Sequence, residues 1–509
     1  MAKNSALVFA ALDDQTRLRL VAFGSAKAGP ASITRLTSGS HVTRQGITKH
    51  LGVIERVGSS SRRGRQTPWK LQPRRLPDAA YARSSRFGAP TSSPRRSLGT
   101  ARCHFGGPRR TCTYATVFVH PMSLGIYIQV PFCQTKCTYC NFHTGVVSSA
   151  KFAPYAAAVQ TEITQYRGRL SAEGIQLPAS CLELVVDTVY FGGGTPSLLN
   201  PAHLGQILNA IRSTFPNDFR EVTLEADPET VESAKAEAWA AAGINRVSFG
   251  VQSFSDVELK AAGRMHRRDD VYRAVPILHS SGIGNMSFDL IAGLPHQTPE
   301  SWHKSLNELI TLAPQHVSIY LLEVDEGSRL GNEILRGGSK YSATSVPTDD
   351  AMAESYDLAR TLLARAGYEH YEISNFAKPG FASEHNRKYW RREPYLGFGA
   401  GAHSFSGSQR WANARDAAAY VQAIAAGRTP VEELEVIPAA QALEEELFLG
   451  LRQLKGIDLD RLNQRYGGSV AERFTSLESC GLIEREGSIV RLAPTHLSIS
   501  NEVFVALMR

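Results

Sequence analysis

The stretch PFCQTKCTYCNFHTG, residues 131–145, places Cys133, Cys137 and Cys140 in a C-x3-C-x2-C pattern. Directly ahead of it stands GIYIQV, residues 125–130, a short β-branched and aromatic run of the strand type. A metal site closed by cysteine alone takes four thiolates. His143 could complete a tetrahedral Cys3His zinc site, and the spacing permits it. Zinc sites of that kind sit in small loop-rich modules, whereas this cluster follows the first strand of a long α/β pattern. There three thiolates can hold three irons of a [4Fe–4S] cluster and leave the fourth iron open to a chelating ligand.

The pattern that follows is regular. The runs TVYFGG (188–193), EVTLEA (221–226), NRVSFGV (245–251), NMSFDLIAG (285–293) and HVSIYLLEV (316–324) read as strands. Between them, PAHLGQILNAIRSTF, ESAKAEAWAAAG, VYRAVPILHSSG and PESWHKSLNELITL carry apolar residues at helical spacing. Six such units predict an α/β fold: a parallel sheet curled as a full or partial barrel, with its site at the C-terminal strand ends. Polar residues fall at those ends: Glu225 in LEADPE, Gln252 in FGVQSF, Arg264 in AAGRMH and Asp289 in FDLIAGLP. The GGG of VYFGGGTPS exposes backbone groups to a close ligand, and the absence of G-x-G-x-x-G spacing disfavours a dinucleotide.

C-x3-C-x2-C in this place strongly resembles the radical S-adenosylmethionine (SAM) proteins, whose fold is a partial (β/α)6 barrel. The resemblance implies a [4Fe–4S] cluster on Cys133, Cys137 and Cys140, with SAM on the open iron. It implies SAM contacts at Tyr127, Tyr139, Gly193, Gly194, Thr195, Glu225, Gln252, Arg264 and Asp289. The order Y-x-Q-x-P-F-C, GGGTPS, E-x-DP, GVQSF and D-L-I-x-GLP narrows it to the oxygen-independent coproporphyrinogen III oxidase family, over nearly all of 122–509. The oxidase branch carries a further cysteine two residues after the third; Phe142 stands there. The family's heme-chaperone branch instead carries HNxxYW. This chain has HNRKYW, so the resemblance implies heme binding through His385, Asn386, Tyr389 and Trp390, no catalytic residues, and heme transfer to an acceptor protein. A radical decarboxylase acting on coproporphyrinogen III is the alternative.

Bulk composition bounds the rest. The chain has 509 residues, 42% hydrophobic, long enough for two or three domains. No apolar run reaches the ~18–20 residues that span a bilayer. Seven cysteines without even spacing argue against a disulfide framework and for a reducing, cytoplasmic setting. Charge is uneven: residues 1–121 hold 21 Lys+Arg against 4 Asp+Glu (+17), and the remainder 35 against 44 (−9).

Residues 1–83 resemble small winged-helix regulators of the ArsR type, on DDQTRLRL, VTRQGITKHL and SRRGRQTPWKLQP. That resemblance implies DNA contact by Arg44, Gln45, Thr48 and Lys49 in a major groove and by Arg62, Arg63 and Arg65 on phosphates; a DNA-binding regulator is therefore a further alternative. Residues 84–121, rich in Ser, Arg, Pro and Gly, read as a disordered linker. The functional chain is expected to begin at or near Met122, the basic head being a regulator joined to it. The barrel is expected over 122–375, and a C-terminal domain with the heme motif over 376–509. The latter reads helix, helix, hairpin, helix beyond about residue 430, like a small winged helix without a basic face.

Overall fold

Six strands with alternating faces set the frame. In the computed structural model, residues 123–172, 174–175 and 183–507 are described. The expected winged-helix segment 1–83 and the linker 84–121 lie outside the described residues. Strands β1 (Leu124–Val130), β2 (Val186–Gly193), β3 (Asn217–Ala226), β4 (Arg246–Gln252), β5 (Asn285–Ala292) and β6 (His316–Leu321) pair in parallel, each with the next. A helix of ten residues or more follows each strand: α1 (Phe152–Ala172), α2 (Pro201–Thr214), α3 (Ser233–Ala242), α4 (Arg268–Ser280), α5 (Pro299–Leu312) and α6 (Asp349–Arg365), with short helices Asp256–Ala261 and Arg329–Leu335 preceding α4 and α6. These are the six units expected from the sequence.

The helices form where their signals stand. Thr298 caps α5 by accepting from Ser301 N, Pro299 opens its first turn, and Trp302, Leu306 and Leu309 line its buried stripe. Each of those side chains contributes roughly 2–3 kcal/mol by leaving water. Thr298→Ala would cost about 1 kcal/mol through the lost cap.

The parallel run does not close on itself. Beyond β6 the sheet adds β7 (Glu369–Glu372) and β8 (Asn375–Ala377), both antiparallel, in the order β6-β8-β7. The chain then forms the short helix α7 (Glu384–Trp390) and returns as β9 (Tyr395–Phe398), parallel beside β1. Strands β10 (His403–Phe405), β11 (Gln409–Asn413) and β12 (Val431–Val436) extend that side antiparallel, with α8 (Ala417–Ala425) between the last two. With β1 and β6 each paired outward, the result is a partial barrel. The boundary expected after residue 375 falls at β8, and one twelve-stranded sheet runs through it.

The C-terminal segment holds the hairpin and last helix expected from the sequence, with one helix more before them: Leu459–Tyr466 precedes the short helix Thr475–Ser479. It comprises α9 (Ala439–Arg452), the short β13 (Ile457–Asp458), α10 (Leu459–Tyr466), the hairpin β14 (Ile483–Glu486) and β15 (Ile489–Leu492), and α11 (Ser500–Leu507).

The faces of β1–β6 differ in kind. One face is apolar and fully buried against the helices: Ile126, Ile128 and Val130 on β1, Val189 and Phe191 on β2, Val222 and Leu224 on β3, Val247 and Phe249 on β4. The intervening positions are polar and touch one another across the strands. Tyr190 donates to Glu225 (2.9 Å), Ser287 meets His316 (2.7 Å), and the Tyr127 and Tyr190 rings stack at 6.0 Å. Strands of a parallel barrel filled only for packing read apolar on both faces. A polar concave face is therefore built for something other than core filling.

Candidate cofactor site and barrel floor

The cysteines sit where β1 ends. Phe132–Cys133 pairs with Gly145–Val146, closing the cysteine loop at its base. The loop is anchored to the end of the short helix after β4 by Thr138 N to Ala262 O (2.9 Å), and the glycine loop docks on it through Gly194 N to Val130 O (2.8 Å) and Thr195 N to Phe132 O (2.7 Å). All three cysteines are half-buried and free. Burial raises the Cys133 thiol and pushes the Cys140 thiol up to about 11. Arg264 Nη1 approaches Cys137 Sγ at 3.6 Å. His143 turns away to Arg415 (3.2 Å), so the Cys3His zinc arrangement is not formed.

Glycine is required at the contact between the two loops. A Cβ on Gly194 would stand 2.4 Å from Phe132 O and 3.0 Å from Cys133 Sγ. One on Gly193, where φ is 114°, would meet Gln129 at 2.5 Å. The backbone is thus drawn close to the thiols, and Gly193 N donates to Glu225 Oε2 (3.0 Å).

The other expected contacts line the same face. Tyr127 OH donates to Gln129 Oε1 (2.9 Å). Glu225 has its carboxyl pushed up to about 7 by burial and then by the charge of Asp289, against the bonds from Tyr190 and Gly193. Burial also raises Asp289, against the hydroxyls of Ser318, Ser287 and Ser248, and its Oδ1 has no partner. Gln252 holds φ 63° with its Oε1 buried and unpaired. A non-glycine residue in that region stores about 1–3 kcal/mol of strain, and such residues cluster at ligand sites. Tyr139, on the cysteine loop itself, packs against the small apolar cluster of Ala262, Ile291, Leu294, Leu322, Leu330 and Met352.

Four side chains that brace the site were not among the residues expected from the sequence. Asp227 pairs with Arg264 and accepts from Thr195 Oγ1 (3.2 Å), joining the glycine loop to the arginine beside Cys137. His266 accepts from Arg264 Nε at Nδ1 (3.3 Å), so its Nε2 carries the proton toward Val251 O (3.0 Å). Tyr190 holds Glu225. Glu221 holds α7. Asp227, Tyr190 and Glu221 stand two or four residues from recognised positions, on the same strand face or its extension; period-two alternation was the signal for them.

The HNRKYW motif lies at the opposite end. Helix α7 covers the N-terminal ends of β1–β3. A Cβ on Gly125 would touch Lys388 Cδ at 3.0 Å and His385 Cε1 at 3.3 Å. From Gly125 to Val130 the strand rises ~17 Å, the depth separating this floor from the cysteine mouth. Glu221 receives Ser383 Oγ (3.2 Å), Glu384 N (2.9 Å) and His385 N (3.1 Å), a carboxylate seated on a helix start. Lys388 pairs with Asp187 at 2.8 Å.

His385 is 1% exposed, with Nδ1 bonded to Thr188 Oγ1 (2.9 Å) and Nε2 to Tyr389 OH (2.8 Å). Burial, then Lys388 and Arg246, lower its pKa to about 3, so the imidazole is neutral. Tyr389 stands edge-on to Tyr395 (4.7 Å), Arg452 covers the Trp390 ring at 4.4 Å, and Asn386 is half-buried. As placed, neither nitrogen of His385 is open to an iron.

The residues at the mouth fit the expected group: three thiols on one loop, a glycine cradle against them, and buried carboxylate and amide oxygens without partners. Among the described residues, no three His, Cys, Asp or Glu side chains converge as ligands of one ion would. A [4Fe–4S] cluster instead takes one thiolate per iron, and when bound would supply an electron and an open coordination position.

Fold and site together define a radical SAM protein, and residues 127–309 match the radical SAM superfamily model, with residues 437–495 matching the HemN C-terminal domain. The heme chaperone HemW of Bacillus subtilis is 33% identical over 388 residues, covering 75% of this chain and 98% of that protein. HemW of Lactococcus lactis is 31% identical, covering 74% and 95%. Coproporphyrinogen III oxidase (HemN) from Escherichia coli shares the fold, with a TM-score of 0.64 at 21% identity over 76% of this chain and 90% of that one. This chain belongs to the HemW family. Among the described residues, no helix is long and apolar enough to cross a membrane.

Proposed function

We propose that the protein is a cytoplasmic heme chaperone that binds heme and passes it to an acceptor protein. A [4Fe–4S] cluster would be held by Cys133, Cys137 and Cys140. SAM would lie along the polar face above the floor, against Gly193, Gly194, Thr195, Glu225, Gln252, Arg264 and Asp289, with Tyr127 and Tyr139 behind. What carries the reading is the near full-length match to a heme chaperone, joined to an intact HNRKYW and to Phe142 in place of the oxidase's further cysteine. Heme would be taken by His385 once α7 withdraws the imidazole from Thr188, with Asn386, Tyr389 and Trp390 carried along.

Anaerobic incubation of the reconstituted protein with SAM tests this, once with coproporphyrinogen III and once with heme. The expected result is a shifted heme Soret band, transfer of that heme to an added apo-acceptor, and no protoporphyrinogen. Formation of protoporphyrinogen would overturn it in favour of the oxidase.

A further inference from the structure

The floor and the mouth are joined by one unbroken set of contacts. The His385 ring stacks on Tyr190, 5.3 Å between centroids and 29° between planes. Tyr190 OH donates to Glu225 Oε1 at 2.9 Å. The other carboxyl oxygen of Glu225 accepts from Gly193 N at 3.0 Å, in the loop that lies against Cys133. Thr188 and Tyr190 are alternate residues of β2 on the same face, so His385 touches that strand twice. Tyr127 closes the set from β1, at 6.0 Å from Tyr190 and 6.5 Å from His385. His385 is buried and the two tyrosine rings lie half-buried against it, so a displacement of the imidazole removes the support of the Tyr190 ring.

We propose that His385 is a positioning residue for the SAM loop, acting through Tyr190 and Glu225, so that SAM at Gly193 and heme on His385 oppose each other. SAM needs Glu225 and Gly193 where the seated helix holds them. An imidazole that α7 carries to a heme iron gives up Thr188 and its stack on Tyr190, and Tyr190 then ceases to fix Glu225. Each ligand stabilises the arrangement the other disrupts, and the effect is reciprocal: whatever factor heme imposes on SAM affinity, SAM imposes on heme affinity. The antagonism rests on the proposed capture of heme by His385. The link from His385 to the loop does not.

The test uses the full chain with its cluster reconstituted. SAM affinity is measured by equilibrium dialysis with and without saturating ferric heme, and heme affinity by Soret titration with and without SAM. Heme is expected to weaken SAM about fivefold or more, and SAM to weaken heme by the same factor. Tyr190→Phe keeps the ring and removes the hydroxyl. It should weaken SAM roughly fivefold, the loss of one hydrogen bond, and bring the mutual factor toward one. Unchanged SAM affinity in Tyr190→Phe and His385→Ala would overturn the proposal, whatever happens to heme. Unchanged heme affinity in His385→Ala, with SAM weakened, would instead overturn His385 as heme ligand and leave the positioning role standing. Should His385→Ala fail to fold, Tyr190→Phe decides alone.

Discussion

The two ends of the barrel carry the two strongest motifs, and they are built in opposite ways. At the mouth, the cysteines are half-exposed, Gln252 is held in a left-handed conformation, and buried oxygens of Gln252 and Asp289 lack partners. At the floor, both nitrogens of His385 are bonded, Glu221 receives three donors, and Lys388 faces Asp187. Unmet polar groups and stored strain cost stability and persist where a ligand compensates for them. The mouth is therefore a site awaiting an occupant. The floor is more nearly satisfied, although Trp390 Nε1 is buried without a partner, and any ligand that engages His385 must first break the bonds around it.

Substitutions at each end should separate these two conditions. The largest effect is expected from Gly194→Val at the mouth. Its Cβ would strike Phe132 O and Cys133 Sγ, so the cysteine loop must shift. Reconstitution should then yield almost no cluster, read as iron per chain and visible absorbance, while the far-UV spectrum stays near native. A full cluster in this variant would mean that the glycine loop is not what holds the cysteines in place. At the floor, Lys388→Met leaves the half-buried Asp187 without its cation, and breaking such a pair costs up to about 3 kcal/mol. Denaturant titration should show that loss, with cluster content unchanged. A loss under ~0.5 kcal/mol would mean the pair is solvated like a surface one.

The mouth should also respond to pH in a way the floor does not. The Glu225 carboxyl titrates near 7, raised first by burial and then by Asp289. Because its folded pKa lies above the unfolded value, its contribution to stability is fully present below about pH 4.5 and is lost as pH rises through about 7. SAM, a cation, should reverse that cost by favouring the ionised carboxylate. Its affinity is expected to rise between pH 6 and 8 and then level, by up to about tenfold for each pH unit below the pKa. Glu225→Gln should flatten this profile. A profile equally steep in the variant would place the titration elsewhere.

Most of the barrel and the identity of the mouth were legible in the sequence, because both rest on local rules. The alternation of apolar runs and amphipathic helices names six βα units, and C-x3-C-x2-C after the first strand names the mouth. Placement of the HNRKYW motif was not legible. Motif matching identifies residue types, whereas the enclosure of His385 depends on Thr188, Glu221 and Asp187, which stand 164 to 198 residues away in the chain and meet it only through the sheet register. Nor could the sequence reveal that β9 returns beside β1, so that strands assigned to a separate domain complete the barrel's sheet. That pairing is fixed by long-range packing of Leu396 and Phe398 into the main core, not by any local signal.

The smallest effect is the one that isolates what the mouth holds in reserve. Gln252 adopts φ 63° at the last residue of β4, where the register with β5 shifts. Glycine accepts that conformation without steric cost, although it raises the entropy of the unfolded chain. Relief of strain is worth about 1–3 kcal/mol and the entropy term up to ~1 kcal/mol against it, so Gln252→Gly should stabilise the apo protein by about 1 kcal/mol. The same change removes the amide whose Oε1 is buried and unpaired, so SAM affinity should fall. Stability up and SAM affinity down, measured on one variant, is the signature of strain kept for binding. If the variant is less stable than the parent, the left-handed turn is supported by the glutamine side chain, and the mouth is closer in kind to the floor than the unmet oxygens indicate.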